Sequence, residues 1–268
     1  MPEGDTILWA ATRIRPVLEG TVPDRVEMPP PRPGAARGSA GAPRWPAMLA
    51  GRRVESVTTR GKNLFLLFSG GLALHSHLKM TGAWGVYLRG QEWHRAPRRA
   101  WLVLEAGGHS VVQFDGPVLE LMTTARLRSD RRLGRLGPDL LAPGGFDAER
   151  FLARLRAADA GHSLGDSLLD QSLLAGIGNI WKAEGCWEAG LDPRRPIHTV
   201  TDAELHTLTE RVRPRMLDSG LRGPDRARLE VYGRAGRPCR RCGATIRSAP
   251  DGDGARITYW CPGCQRPA

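Results

Sequence analysis

Residues 164–190 read LGDSLLDQSLLAGIGNIWKAEGCWEAG, and this stretch decides how the second half of the chain is organised. Its apolar texture on both sides of Gly176-Ile177-Gly178-Asn179 predicts two helices joined at that turn. The turn offers backbone amides at the start of the second helix, a natural seat for phosphate. An ordinary interhelical turn reads the same way. Upstream, FDAERFLARLRAAD over 146–159 is amphipathic. Downstream, Thr201 and Glu204 form a capping box ahead of Leu205, Leu208, Val212 and Met216, with Pro214 expected to kink or shorten that helix.

The first half has a different texture. NLFLLF (63–68), Ser69-Gly70-Gly71 and LALHSHL (72–78) predict one hairpin. AWLVLEA (100–106), Gly107-Gly108 and HSVVQFD (109–115) predict another. Hairpins in series argue for an antiparallel sandwich or barrel. Ahead of them, residues 6–20 read as a helix capped by Asp5 or Thr6, with Ile7, Ala11, Ile14 and Leu18 on one face. Gly20 closes it, and Pro16 sits awkwardly inside. The Pro/Gly/Arg stretch PPPRPGAARGSAGAPRWP (29–46) fits no regular element, and LGRLGPDLLAPGG (133–145) reads as a linker.

The chain has 268 residues, 41% hydrophobic and 25% charged, which excludes a disordered or membrane-embedded protein. No apolar run reaches the roughly 18 residues of a membrane span, and no signal peptide is expected. Thirty-nine basic against 28 acidic residues give +11, a field that favours nucleic acid over a membrane surface. Only three of the basic residues are lysines: Lys62, Lys79 and Lys182. In so arginine-rich a chain, a surviving lysine reads either as a place where a compact or deprotonatable ammonium is useful or as a chance remnant of the composition.

Cys239-x-x-Cys242 and Cys261-x-x-Cys264, with 18 residues between the pairs, match the spacing of a zinc ribbon. Gly243 and Gly263 ease the two knuckles. Disulfides or free thiols are the alternatives, and disulfides suit a chain without a signal peptide poorly. Such a site is closed, so one structural ion would fold the ribbon and leave catalysis to other groups. Cys186 reads as a small core residue.

At the N-terminus, Met1 precedes a small residue and is expected to be removed, leaving Pro2 terminal. A terminal proline is a secondary amine that titrates near neutrality, so much of it is nucleophilic at pH 7 and able to form an iminium with an aldehyde carbon. Glu3 beside it is a candidate acid/base. Two residues alone are better read as a frayed, solvated chain start.

Taken together these segments resemble the formamidopyrimidine-DNA glycosylase/endonuclease VIII family. The resemblance spans the opening MPEGDT, RGKNL around Lys62, HLKMTG (77–82), LGPDLL (136–141), LLDQSLLAGIGNIWKAE (168–184), and VYGRAGRPCRRCG…RITYWCPGCQ at the end. It implies an α+β protein: an N-terminal antiparallel β-sandwich with a catalytic N-terminal helix (1–132), a linker (133–146), a helix-two-turn-helix domain (147–231) and a zinc ribbon (232–268). DNA would lie between sandwich and helical domain.

The resemblance further implies a bifunctional DNA glycosylase and abasic-site lyase of base excision repair, cleaving the strand by β,δ-elimination. Pro2 would attack sugar C1′ and displace the damaged base, with Glu3 assisting base loss and ring opening. Lys62 would support the reaction and grip phosphate, and Arg256 would clamp phosphate and serve the second elimination. His77, Lys79, Arg135 and Asn179 fall at DNA-contact positions, and Met80 at the wedge that fills the gap left by a flipped base. The implied partner is damaged DNA, with no membrane and no nucleotide cofactor. The enzyme is expected to be a monomer in the bacterial cytoplasm.

Two departures bear on substrate. Thr6 stands where better-known members carry a second glutamate. QFDGPVLEL (113–121) lacks the arginine and phenylalanine with which 8-oxoguanine-type members read the opposite base. Both lean toward the endonuclease VIII branch, its actinobacterial PEGDT group, and oxidised pyrimidines. The alternatives are a lyase acting on abasic, single-stranded or bubble DNA, and a zinc-ribbon DNA-binding protein without catalysis.

Overall fold

A computed structural model describes residues 2–29, 44–158, 161–251 and 256–265; most of the 29–46 stretch therefore lies outside the described residues. The chain divides into two compact units, one of residues 6–134 with Pro2, the other of residues 135–268 with Glu3–Asp5. No described helix is long and apolar enough to cross a membrane.

Helix α1 (Gly4–Leu18) belongs to the first unit from Thr6 onward. Ile7, Ala11, Ile14 and Leu18 are all fully buried, as their spacing predicts. The helix starts earlier than its sequence suggests, so Asp5 and Thr6 lie within the first turn instead of capping it. The carboxylate of Asp5 is used elsewhere: it accepts the Ser219 hydroxyl at 2.6 Å. Pro16 lies inside the helix two residues from its end, and Gly20 at φ 80° turns the chain away.

The strands of the first unit are β1 (Arg25–Glu27), β2 (Val54–Arg60), β3 (Asn63–Phe68), β4 (Leu72–His77), β5 (Ala83–Leu88), β6 (Ala100–Ala106), β7 (His109–Phe114) and β8 (Val118–Thr123). Short helices α2 (Trp45–Leu49), α3 (Thr124–Arg128) and α4 (Arg131–Gly134) complete it. The strands form two antiparallel sheets, ordered β1-β6-β7-β5 and β2-β3-β4-β8. Leu64, Leu66 and Leu74 of one sheet join Leu102, Leu104 and Val111 of the other in a single core with α1, so the unit is a β-sandwich. The β3–β4 and β6–β7 hairpins are the two read from local alternation. The β5–β7 and β4–β8 pairings have no local turn to announce them.

The β4–β5 connection, residues 78–82, is tightly specified. Leu78 is buried while Met80 is 63% exposed, so Met80 is not the core residue a methionine between strands usually is. Lys79 takes φ 47°, uncommon for a residue with a side chain. His77 Nδ1 accepts the Lys79 N–H at 3.0 Å, and Arg95 Nη1 donates to Thr81 O at 2.8 Å. Arg95 and Arg99 also hold the Asp115 carboxylate at 3.2 and 2.5 Å, at the head of a three-residue β7–β8 connection.

The second unit contains α5 (Ala148–Arg156), α6 (Leu164–Leu169), α7 (Asn179–Ala189) and α8 (Asp202–Arg222), then the antiparallel hairpin β9 (Arg247–Asp251) and β10 (Arg256–Trp260). Asp147 caps α5, accepting the Arg150 N–H at 3.0 Å, and the helix is shorter than its amphipathic stretch. The capping box of α8 forms as predicted, but Pro214 does not shorten the helix, which continues eight residues to Arg222. The predicted helix pair around Gly176 needs a larger correction: α6 ends at Leu169 and residues 170–178 are not helical. The Gln171 side chain explains this, donating to Leu169 O at 3.0 Å and Ile177 O at 2.9 Å, and accepting Gly176 N–H at 3.1 Å. Leu174, Ala175 and Ile177 are thereby buried in a loop, where hydrophobicity alone suggests helix.

The His77 turn generates a pH prediction. Burial, then Lys79, His75 and Lys62, push the His77 pKa down to about 4, so the folded turn uses neutral imidazole as an acceptor. The unfolded state, with its ordinary histidine near 6.5, binds the proton first. Stability is therefore fully present above about pH 6.5 and falls as pH drops toward 4. Unfolding midpoints across that window are expected to fall more steeply for the wild type than for His77→Asn, which keeps an acceptor but no titrating ring. Parallel slopes would refute the assignment.

Candidate active site and metal centre

Glu3 is fully buried, and its carboxylate lies on the N-terminal amides of α7. Oε2 accepts the N–H groups of Gly178 at 3.0 Å and Trp181 at 3.2 Å, and Oε1 accepts that of Ile180 at 2.8 Å. These belong to the donors that a helix start leaves without intrahelical partners, and the positive helix end adds to their pull. Hydrogen bonds to a charged group contribute about 1.5–3 kcal/mol each, so the arrangement selects the ionised carboxylate. The same amides were the expected phosphate seat; the structure gives them to Glu3 instead. Gly178 is required by this approach, since a Cβ there would lie 2.4 Å from Glu3 Cδ. Beside it, the Gly4 N–H donates to Gly176 O at 2.9 Å.

Pro2, partly buried, directly precedes this anchored residue and the start of α1 at Gly4. Lys62 is partly buried in the Gly61-Lys62 turn between β2 and β3, and its charge bears on His77. Lys79 and Met80 are exposed on the β4–β5 turn beside His77. The sandwich thus groups Lys62, His77, Lys79 and Met80 at one end of the β2-β3-β4-β8 sheet. In the second unit, Arg135 is exposed, and its carbonyl accepts from Arg154 at 3.3 Å. Arg256 is exposed at the first position of β10, paired in register with Asp251.

Asn179, at the first position of α7, is buried with its Nδ2 donating to Ile257 O at 2.8 Å. Its Oδ1 is buried and meets no donor among the described residues. One turn along, Lys182 is 2% exposed and donates to Thr258 Oγ1 at 2.7 Å. Burial holds its ammonium below the usual lysine pKa. Two further groups escaped the sequence reading. Tyr232 lies with its ring centroid 5.0 Å from that of Tyr259. Burial, Tyr259 and the charge of Glu3 keep its hydroxyl protonated above the ordinary range. Fully buried Glu184 accepts the backbone N–H groups of Glu230, Val231 and Tyr232 at 2.8, 2.9 and 2.9 Å, and so ties the ribbon's lead-in to α7. The motifs GIGNIWKAE and VYGR contain these residues, but sequence does not say that they meet. Cys186 is fully buried, and its thiol is pushed up to about 12 by burial, in keeping with a core residue.

The sulfur atoms of Cys239, Cys242, Cys261 and Cys264 all lie within 4.8 Å of one another. Cys239 and Cys264 are 3.7 Å apart and Cys242 and Cys261 3.4 Å, too long for a disulfide bond. A tetrahedral ion with metal–sulfur bonds of about 2.3 Å would set such edges near 3.8 Å, so the donor set fits one soft divalent metal. A Cβ at Gly263 would lie 2.8 Å from Cys242 Sγ, which keeps that knuckle a glycine. The knuckles are fixed from outside: Gln265 Oε1 accepts the Cys261 N–H at 2.7 Å, and its Nε2 donates to Leu191 O at 2.9 Å. Arg241, between the first two cysteines, stacks on Trp187 at 3.7 Å and donates to Trp187 O at 3.1 Å.

Comparison with known proteins agrees with this geometry. Residues 1–136 match the formamidopyrimidine-DNA glycosylase N-terminal domain and residues 136–226 the H2TH domain of the same glycosylase. The chain is 43% identical to a probable endonuclease 8 2 of Streptomyces coelicolor, covering 99% of this chain and 94% of that one. It is 37% identical to the DNA-(apurinic or apyrimidinic site) lyase Nei2 of Mycolicibacterium smegmatis, over 99% of both. In fold it matches Lactococcus lactis formamidopyrimidine-DNA glycosylase, solved with DNA containing an abasic site, at a TM-score of 0.82 and 24% identity over 98% of this chain and 99% of that one. With the buried Glu3, the sandwich, the helical domain and the four-cysteine hairpin all in place, the chain belongs to the formamidopyrimidine-DNA glycosylase/endonuclease VIII family.

Proposed function

We propose that this protein removes oxidised pyrimidines from DNA and cuts the strand at the resulting abasic site, using Pro2 as nucleophile. The observation that carries the reading is the anchored Glu3. A fully buried carboxylate bonded to three amides fixes the backbone next to Pro2, an arrangement a purely DNA-binding protein does not need.

In the proposed reaction the Pro2 nitrogen, freed by removal of Met1, forms a bond to sugar C1′ as the glycosidic bond breaks and the base leaves with the bonding pair, taking a proton from water. The proton released from the amine passes to the ionised Glu3 and from it to O4′, as the C1′–O4′ bond opens to an iminium. The iminium draws electrons from C2′, which loses a proton as the C3′–O bond breaks and the 3′ phosphate leaves. A second elimination takes a proton from C4′ and breaks the C5′–O bond, with Arg256 holding the departing phosphate. Water then releases Pro2. Lys62, His77, Lys79, Arg135 and Asn179 are assigned to the DNA backbone, and exposed Met80 to the gap left by the flipped nucleotide.

The pyrimidine preference is supported by the three-residue β7–β8 connection, Asp115-Gly116-Pro117, which contains neither arginine nor phenylalanine and whose Asp115 is pinned by Arg95 and Arg99. We assign the four cysteines one zinc ion, which would hold the ribbon hairpin by its four thiolates; with four protein ligands it leaves no position for substrate.

Three experiments test this reading. Borohydride reduction on DNA carrying one 5-hydroxyuracil or one abasic site is expected to trap a covalent adduct that mass spectrometry maps to Pro2. Glu3→Gln is expected to slow base release by about 100-fold or more. An adduct on abasic DNA alone would demote the enzyme to a lyase, and binding without any adduct would leave only a DNA-binding ribbon protein. Metal analysis is expected to give one zinc per chain. Its removal by a chelator is expected to melt the ribbon and abolish binding; unchanged binding by metal-free protein would contradict a structural ion.

A further inference from the structure

The first turn of α7 acts in two directions. Its backbone amides hold Glu3, while its side chains hold β10: Asn179 bonds Ile257 O at 2.8 Å and Lys182 bonds Thr258 Oγ1 at 2.7 Å. Ile257 and Thr258 directly follow Arg256 in the strand. Lys182 is 2% exposed and Thr258 fully buried, so the contact is shielded from water, whereas Arg256 stands exposed at the strand's first position. An apolar helix face would pack against a strand without burying an ammonium, which is costly to desolvate. Asp251 and Asp166 bear on that ammonium favourably, and Arg256 bears on it as a like charge. The lysine therefore fixes the strand through Thr258 and opposes any inward turn of the Arg256 guanidinium.

We infer that Lys182 is a positioning residue for Arg256: bonded to Thr258, it sets where β10 presents that guanidinium and so governs the second elimination. This rests on the proposed role of Arg256. The affected step is the loss of the C4′ proton to solvent with departure of the 5′ phosphate as the C5′–O bond breaks. Base loss and the first elimination depend on Pro2 and Glu3, which Lys182 does not touch among the described contacts. The three lysines then divide by task, with Lys62 and Lys79 on the sandwich and Lys182 beneath the strand that carries Arg256.

The test uses full-length, metal-loaded enzyme on DNA with one 5-hydroxyuracil or one abasic site, resolving the two cleavage products by gel. The double variant Lys182→Met with Thr258→Val replaces both polar partners by apolar groups of similar size, which spares the fold an unpaired buried group. Its base release and borohydride trapping are expected to stay within about twofold of wild type, while the doubly eliminated share falls by about tenfold. Thr258→Val alone is expected to shift the products the same way and Thr258→Ser to keep the wild-type ratio, reading the contact without altering the helix. A wild-type product ratio in the double variant and in Thr258→Val overturns the inference, as does a parallel loss of all steps with the ratio unchanged. Wild-type enzyme that never releases the 5′ phosphate would sink the Arg256 assignment itself, a separate result.

Discussion

A carboxylate removed from water must find donors, and the burial of Glu3 against the α7 amides is the constraint from which the second unit is organised. The amides must be reachable, so Gly178 carries no side chain. They must also be free, so α7 begins at Asn179 and the preceding residues cannot continue a helix from α6. Gln171 makes that interruption affordable by supplying hydrogen bonds to the backbone of 169–177. Glu3 is thereby set by backbone groups, which are stiffer than side chains and cannot titrate away.

Helix α7 carries more than Glu3. Its first turn grips β10, Glu184 midway along it gathers the amides of 230–232, and Trp187 near its end receives the stacked Arg241 of the metal knuckle. The helix is nearly all buried, from Asn179 to Trp187, which is why its sequence lacks a clear polar face. A single rigid element thus fixes the spacing of the Glu3 carboxylate, the hairpin and the four-cysteine cluster. Small errors in such spacing are costly to a reaction that depends on aligned groups. The sandwich meets a different demand. Its exposed Met80 sits on a turn held by His77, Arg95 and Thr81, with Lys79 in a strained conformation that the surrounding bonds maintain.

The division between sequence and structure follows from the range of each interaction. Hairpins β3–β4 and β6–β7, the buried face of α1, the capping box of α8 and the paired cysteine knuckles depend on neighbours a few residues apart, and all are legible in the sequence. The MPEGDT and GIGNIWKAE motifs carry the family resemblance, because their residue types are tied to one arrangement. The helix start at Gly4 and the loop at 170–178 are not legible in this way: Gly4 is tied to Gly176 far along the chain, and the Gln171 side chain satisfies backbone groups that a helix would otherwise pair.

Which groups meet across the fold was decided only in three dimensions. Glu3 reaches Gly178, Ile180 and Trp181 across some 175 positions of sequence, and Lys182 reaches Thr258 across 76. No periodicity encodes such a pairing. The sequence determined the residue types, the local elements and the metal-binding spacing. Tertiary packing decided that the helix amides serve a carboxylate and that a lysine lies buried beneath the hairpin strand, because burial makes an unpaired polar group too costly to leave alone.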